Sequence, residues 1–143
     1  MSLAEVTSDV VQKRVKRRLA AILSADVVGY TRLVRENEAG TILALKHVRQ
    51  NLIDPLIAAH AGRTVKLMGD GALIEFASVV DAVDCAVDIQ RSLAAHDHEH
   101  PERKPIVFRI GVNLGDVIID GEDIYGDGVN IAARLESLAE PGG

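Results

Sequence analysis

Two acidic residues each close an apolar, strand-like run. Asp26 follows Leu19–Ser24 within LSADVVGYT (residues 23–31), and Asp70 stands at a hairpin tip within VKLMGDGALIEF (65–76). A third stretch, DIYGDGVNIAARLE (123–136), sets Asn130 and Arg134 four residues apart, on one face of a short helix. Two carboxylates, an amide and a guanidinium can together hold divalent cations and a polyphosphate. Mg2+ takes one or two carboxylates plus phosphate oxygens, and a pair of ions can clamp attacking and leaving oxygens. Gly29 lies where a helix begins beside Asp26, so the backbone N–H groups of Val28, Gly29 and Tyr30 are offered to an anion. Each element also has a plain reading: Asp70–Gly71 as a turn, Asp26 as a helix cap, Asn130 and Arg134 as an exposed face. From chemistry alone the set reaches metal-dependent phosphoryl or nucleotidyl transfer on a nucleoside triphosphate.

The elements that must position these residues follow from the hydrophobic periodicities. Residues 19–28 are short and almost continuously apolar, a buried strand. Ile42, Leu45, Val48, Leu52 and Leu56 mark a helical pattern over about 30–61, broken near Gly40 with Thr41 as cap. Pro55 should kink its second half, and Gly62 suits the C′ position. Residues 63–69 and 72–77 form a hairpin about Asp70–Gly71. Ser78 caps a third helix with Asp81 as capping-box partner, Val79, Val83, Ala86, Ile89 and Leu93 as its stripe, and Cys85 packed beside it. A strand over 106–112, a short strand 116–120 and a helix of about 127–139 complete the chain. The order is β-α-β-β-α-β: an α+β, ferredoxin-like βαββαβ palm with an appended strand and helix. Right-handed crossover places the third strand between the first two, so Asp26 and Asp70 should meet at one sheet edge.

Composition narrows the class. The 143 residues suit one domain, 48% hydrophobic and 26% charged. Tyr30, Phe76, Phe108 and Tyr125 are the only aromatic residues, so Leu, Ile, Val and Ala must build the core. A net charge of −5 argues against nucleic-acid binding by a general basic surface. The exception is Lys13–Arg18 (KRVKRR), read as a solvated helix face or linker within a basic extension over 1–18, with Met1–Leu3 as an expression remnant. Cys85 stands alone, which excludes an internal disulfide and suits a reducing, cytoplasmic setting. No stretch approaches the roughly 20 apolar residues of a membrane span. His96, His98 and His100 (HDHEH) fall where the third helix should end, in a solvated loop without a zinc-like spacing.

In order and spacing, the three stretches resemble the catalytic domain of class III nucleotidyl cyclases, from about Leu19 to Gly143. The resemblance implies that Asp26 and Asp70 bind two Mg2+ (or Mn2+) ions. It implies that Lys66 and Asp123 read the purine ring, that Asn130 orients the ribose and that Arg134 stabilises charge on the α-phosphate. Guanine-using relatives typically carry Glu and Cys or Ser at the two base-reading positions. Lys and Asp suit adenine, whose N1 accepts and N6 donates a hydrogen bond. The implied activity is that of an adenylate cyclase: ATP becomes 3′,5′-cyclic AMP and pyrophosphate at sites shared across a head-to-tail homodimer. The alternatives are a guanylate cyclase, or a truncated domain that binds nucleotide or partners without turnover. Family domains continue past the position of Gly143 into strands bearing another basic contact, so the resemblance implies a C-terminally incomplete domain. Some relatives carry an arginine at the position of Asp116 held to contact phosphate, so an acid there implies one positive charge fewer.

Overall fold

The computed structural model describes residues 16–143. The element order is β1 (Lys16–Val27), α1 (Tyr30–Glu36), α2 (Glu38–Val48), a π-helical turn (Arg49–Ile53), α3 (Asp54–Ala59), β2 (Arg63–Met68), β3 (Gly71–Phe76), α4 (Val79–Glu99), β4 (Phe108–Asp120), β5 (Asp123–Tyr125) and α5 (Asp127–Leu138). The sheet runs β2-β3-β1-β4-β5. Every neighbouring pair is antiparallel, which leaves β1 and β2 parallel with β3 between them, as the split crossover requires. The α+β plan with an appended strand and helix is the one expected.

β1 is the centre of the molecule. It pairs with β3 from Ala21↔Phe76 to Ala25↔Ala72, and with β4 from Lys16↔Ile119 to Val27↔Phe108. Alternate side chains enter two different cores. Ala21, Leu23, Ala25 and Val27 join Ile53, Ile57, Cys85, Ile89 and Phe108 under the α2–α4 layer. Ala20 and Ile22 join Leu73, Val117, Ile124 and Ala132 on the α5 side. α5 lies almost against the sheet. A Cβ on Gly111 would come within 2.3 Å of Ala132 O, and one on Gly128 within 2.6 Å of Asp116 O.

Several boundaries differ from the sequence expectation. β1 starts at Lys16, so Lys16–Arg18 are exposed strand residues paired to β4; the rest of the basic extension, Met1–Leu3 included, lies outside the described residues. β4 is one strand where two were expected, because β1 pairs along its whole length, and the appended strand is β5. The helix break falls at Asn37, extended at φ −162°, whose side chain accepts from Gly40 N; Thr41 caps nothing and donates to Leu33 O. The distortion anticipated at Pro55 appears as the π-helical turn just before it, where proline offers no N–H to the preceding turn. Ala61, not Gly62, adopts the left-handed C′ conformation at φ 56°, while Gly62 N donates to Ile57 O. Glycine is needed at 62 because a Cβ there would stand 2.6 Å from the Phe76 ring.

Ser78 caps α4 by accepting from Val80 N; among the described residues Asp81 returns no capping-box bond. The buried stripe of α4 is Ala82, Cys85, Ile89 and Leu93, with Val83 exposed. α4 runs on through Glu99, so His96 and His98 are helical and His100 is the C-cap.

Candidate functional site

Asp26 is the penultimate residue of β1 and Asp70 occupies the β2–β3 turn, and the two carboxyl groups are neighbours. The turn residues are Gly69 and Asp70, with Met68 paired to Gly71. The turn sits one residue earlier than expected because its first position needs positive φ, which Gly69 supplies at +59°. Asp26 Oδ1 accepts from Val27 N at 3.0 Å, and the Asp70 carboxyl is close enough to Asp26 for the two to influence one another's ionisation. Gly71 leaves room for this approach: a Cβ there would lie 3.1 Å from Ala25 O and 3.7 Å from Asp26 Oδ1. Burial, then the Asp26 hydrogen bond, push the Asp70 carboxyl up to about 6. Two neighbouring carboxyl groups, one of them held protonated above its ordinary range by burial and by the other, are a donor set suited to a divalent cation.

Sequence reasoning missed Arg109. In the β1–β4 register it stands directly opposite Asp26, so both side chains leave the same face of the sheet. Its Nε is buried and, among the described residues, has no hydrogen-bond partner. Between Phe108 and Ile110 it reads as the polar alternate of a strand, and only the pairing with Asp26 marks it. Asp116, where some relatives carry an arginine, pairs with Leu19, roughly 24 Å farther along β4 at about 3.4 Å per residue.

Lys66 and Asp123 come together: Lys66 Nζ lies 3.0 Å from Asp123 Oδ1, which also accepts from Ile124 N at 2.7 Å. The Lys66 bond holds the Asp123 carboxyl below the usual range. The residues belong to β2 and β5, opposite edges of the sheet, so the sheet curls until its edges meet. Arg63 seals the same seam by donating to Glu122 O.

Asn130 and Arg134 lie exposed on α5, whose buried residues are Gly128, Ala132 and Glu136. Their face carries exposed Ile131, Leu135 and Leu138 and a shallow groove lined by Ala133, Arg134, Ser137 and Leu138. At the start of α1, Gly29 adopts φ 65° with no side-chain cap. Val28 N donates to Val107 O at 2.8 Å, so one of the three amides expected to meet an anion is already engaged. Among the described residues no three His, Cys, Asp or Glu side chains form a metal-holding group, and no helix is long and apolar enough to cross a membrane.

The model of the Adenylate and Guanylate cyclase catalytic domain matches residues 13–143. The chain belongs to this family. It is 48% identical over 132 residues to "Putative adenylate cyclase 3" of Rhizobium meliloti (strain 1021), covering 92% of this chain and 22% of that protein. It is 35% identical over 128 residues to the adenylate cyclase of Streptomyces coelicolor, covering 90% of this chain and 32% of that protein. The chain thus spans between about a fifth and a third of the length of these relatives. Its fold matches the crystal structure titled adenylate/guanylate cyclase/hydrolase from Silicibacter pomeroyi, with TM-score 0.82 and 45% identity over 89% of this chain and 74% of that one.

Proposed function

We propose that this cyclase domain acts on ATP, forming 3′,5′-cyclic AMP and pyrophosphate. The observation that carries the choice of substrate is the Lys66–Asp123 pair. An ammonium donor beside a carboxylate acceptor complements adenine N1 and N6; guanine presents the opposite pattern at these positions. Asp26 and Asp70 hold Mg2+ or Mn2+, and the ions when bound lower the pKa of the ribose 3′-hydroxyl and neutralise the triphosphate. Arg109, opposite Asp26, offers its guanidinium to the phosphates, and the amides of Gly29 and Tyr30 lie beside them. Asn130 orients the ribose. Arg134 meets the charge that develops on the α-phosphate.

The exposure of Asn130 and Arg134 supports an assembly of two copies head to tail. Asp26, Asp70 and Arg109 of one copy then share a site with Lys66, Asp123, Asn130 and Arg134 of the other. Exposed Leu67, Met68, Tyr125, Ile131, Leu135 and Leu138 give such an interface its apolar area.

The test is a cyclic-nucleotide assay with ATP and GTP in Mg2+ and in Mn2+. Cyclic AMP should predominate, and Asp26→Ala or Asp70→Ala should abolish it in folded protein. More than about a tenth of the activity remaining in either variant would exclude the metal role. Cyclic GMP as main product would exclude the base assignment.

A further inference from the structure

The HDHEH segment is divided by the structure. His98 is exposed, whereas His96, Asp97 and His100 line a cavity of about 70 Å³ with His47, Arg103 and Lys104. His96 and His100 are four residues apart, one helical turn, and their ring centroids lie 4.7 Å apart. An ion bound to an imidazole nitrogen lies about 3.2 Å from the ring centre, so two rings sharing it stand about 4.5 Å apart at a right angle and about 5.2 Å at the tetrahedral angle. The observed spacing falls inside that interval.

We propose that His96 and His100 form a chelating site for a borderline transition-metal ion such as Zn2+ or Ni2+, separate from the carboxylate pair. Among the described residues the His96 ring makes no hydrogen bond or ion pair, and its ring contacts are those with His47 and His100. The contact of His100 is through Nδ1, 3.5 Å from Glu102 Oε1, which leaves Nε2 for the ion. This is the second-sphere arrangement that orients metal-bound histidines. His47 stays outside. Its ring is 6.1 Å from His96, and its Nδ1 accepts from Asn51 Nδ2, whose other bond to His47 O fixes the amide's orientation. Water completes the coordination. Imidazole suits Zn2+ and Ni2+, whereas Mg2+ prefers oxygen, so the two sites select different ions. The bound ion braces the segment from His100 to Val107, whose end carries the carbonyl that holds Val28 N.

The experiment is calorimetric titration of Zn2+, and separately Ni2+, into tag-free protein in excess Mg2+, with folding checked by circular dichroism. One equivalent should bind, with affinity at least about tenfold weaker in His96→Ala and in His100→Ala and within about twofold of wild type in His98→Ala. Absence of binding by the wild type, equal binding by His96→Ala or His100→Ala, or an equal loss in His98→Ala would each overturn the site. Cyclase activity does not enter these readouts, so they stand apart from the reading of the catalytic site.

Discussion

Lys66 Nζ and Asp123 Oδ1, 3.0 Å apart, join the first and last strands of a five-stranded sheet. In the proposed base-reading role of this pair, recognition would depend on how far the sheet curls. The side chains are 35% and 47% exposed, so the ion pair itself adds at most about 1 kcal/mol to stability, and losing it should leave the fold intact.

Exchanging the donor and acceptor should therefore change substrate preference without unfolding. Lys66→Glu with Asp123→Cys should lower use of ATP and raise GTP relative to it by at least about tenfold in kcat/KM ratio. An unchanged ratio in the folded double variant would remove both residues from base reading.

The carboxylate pair sets a pH dependence. Asp70 sits at about 6 against an ordinary 3.8, so the native state holds its proton more tightly than the unfolded chain. In metal-free protein its contribution to stability is complete below its ordinary value and is lost as pH rises through about 6. Divalent ions need the ionised form, so the rise in Tm on adding Mg2+ should be large at about pH 8 and vanish below about pH 5. Asp26→Asn removes the like charge and should move the titration of Asp70 downward. Thermal unfolding across this range, with and without Mg2+, checks both; a metal effect independent of pH would contradict the pairing.

Arg109 should behave as a ligand-binding cation, not as a structural one. Leaving its buried Nε unpaired costs about 1–3 kcal/mol, so Arg109→Met should unfold no earlier than wild type without nucleotide. KM for ATP should rise at least about tenfold. A lower Tm with KM unchanged would make the residue a fold element.

The shared site predicts rescue by mixing. Asp70→Asn and Arg134→Ala should each be inactive as homodimers. In a mixed dimer both lesions fall in one site and the other is intact. Equal, exchanging chains should recover roughly a quarter of wild-type activity, by two-fold symmetry. No recovery under demonstrated exchange would show that each chain holds a whole site.

The close seat of α5 can be separated from the carboxylate site. In Gly111→Ala the new Cβ meets Ala132 O and Glu136 N at 2.3 Å, so α5 must lift. The expected cost is about 1–3 kcal/mol, with cyclisation lost and Mg2+ binding at Asp26 and Asp70 retained. Calorimetry with Mg2+ beside the activity assay decides it; parallel loss of both would mean global unfolding.

The sequence by itself determined what depends on near neighbours and on chain handedness. The apolar run of β1, the Ser78 cap and the element order suffice to bring Asp26 and Asp70 to one edge, because a right-handed crossover leaves β3 only one place. The four-residue spacing of Asn130 and Arg134 suffices to put them on one helix. Tertiary structure alone decided the rest, because it arises between residues distant in sequence. Pairing with β4 drew Lys16–Arg18 into β1 and merged two expected strands into one. The Phe76 ring, not backbone conformation, requires glycine at 62. Register with Asp26 set Arg109, a strand's polar alternate in the sequence, on the same sheet face as that carboxylate, and the curl of the sheet joined Lys66 to Asp123. Curl and register sum small twists over five strands, and no local pattern in the chain encodes that sum.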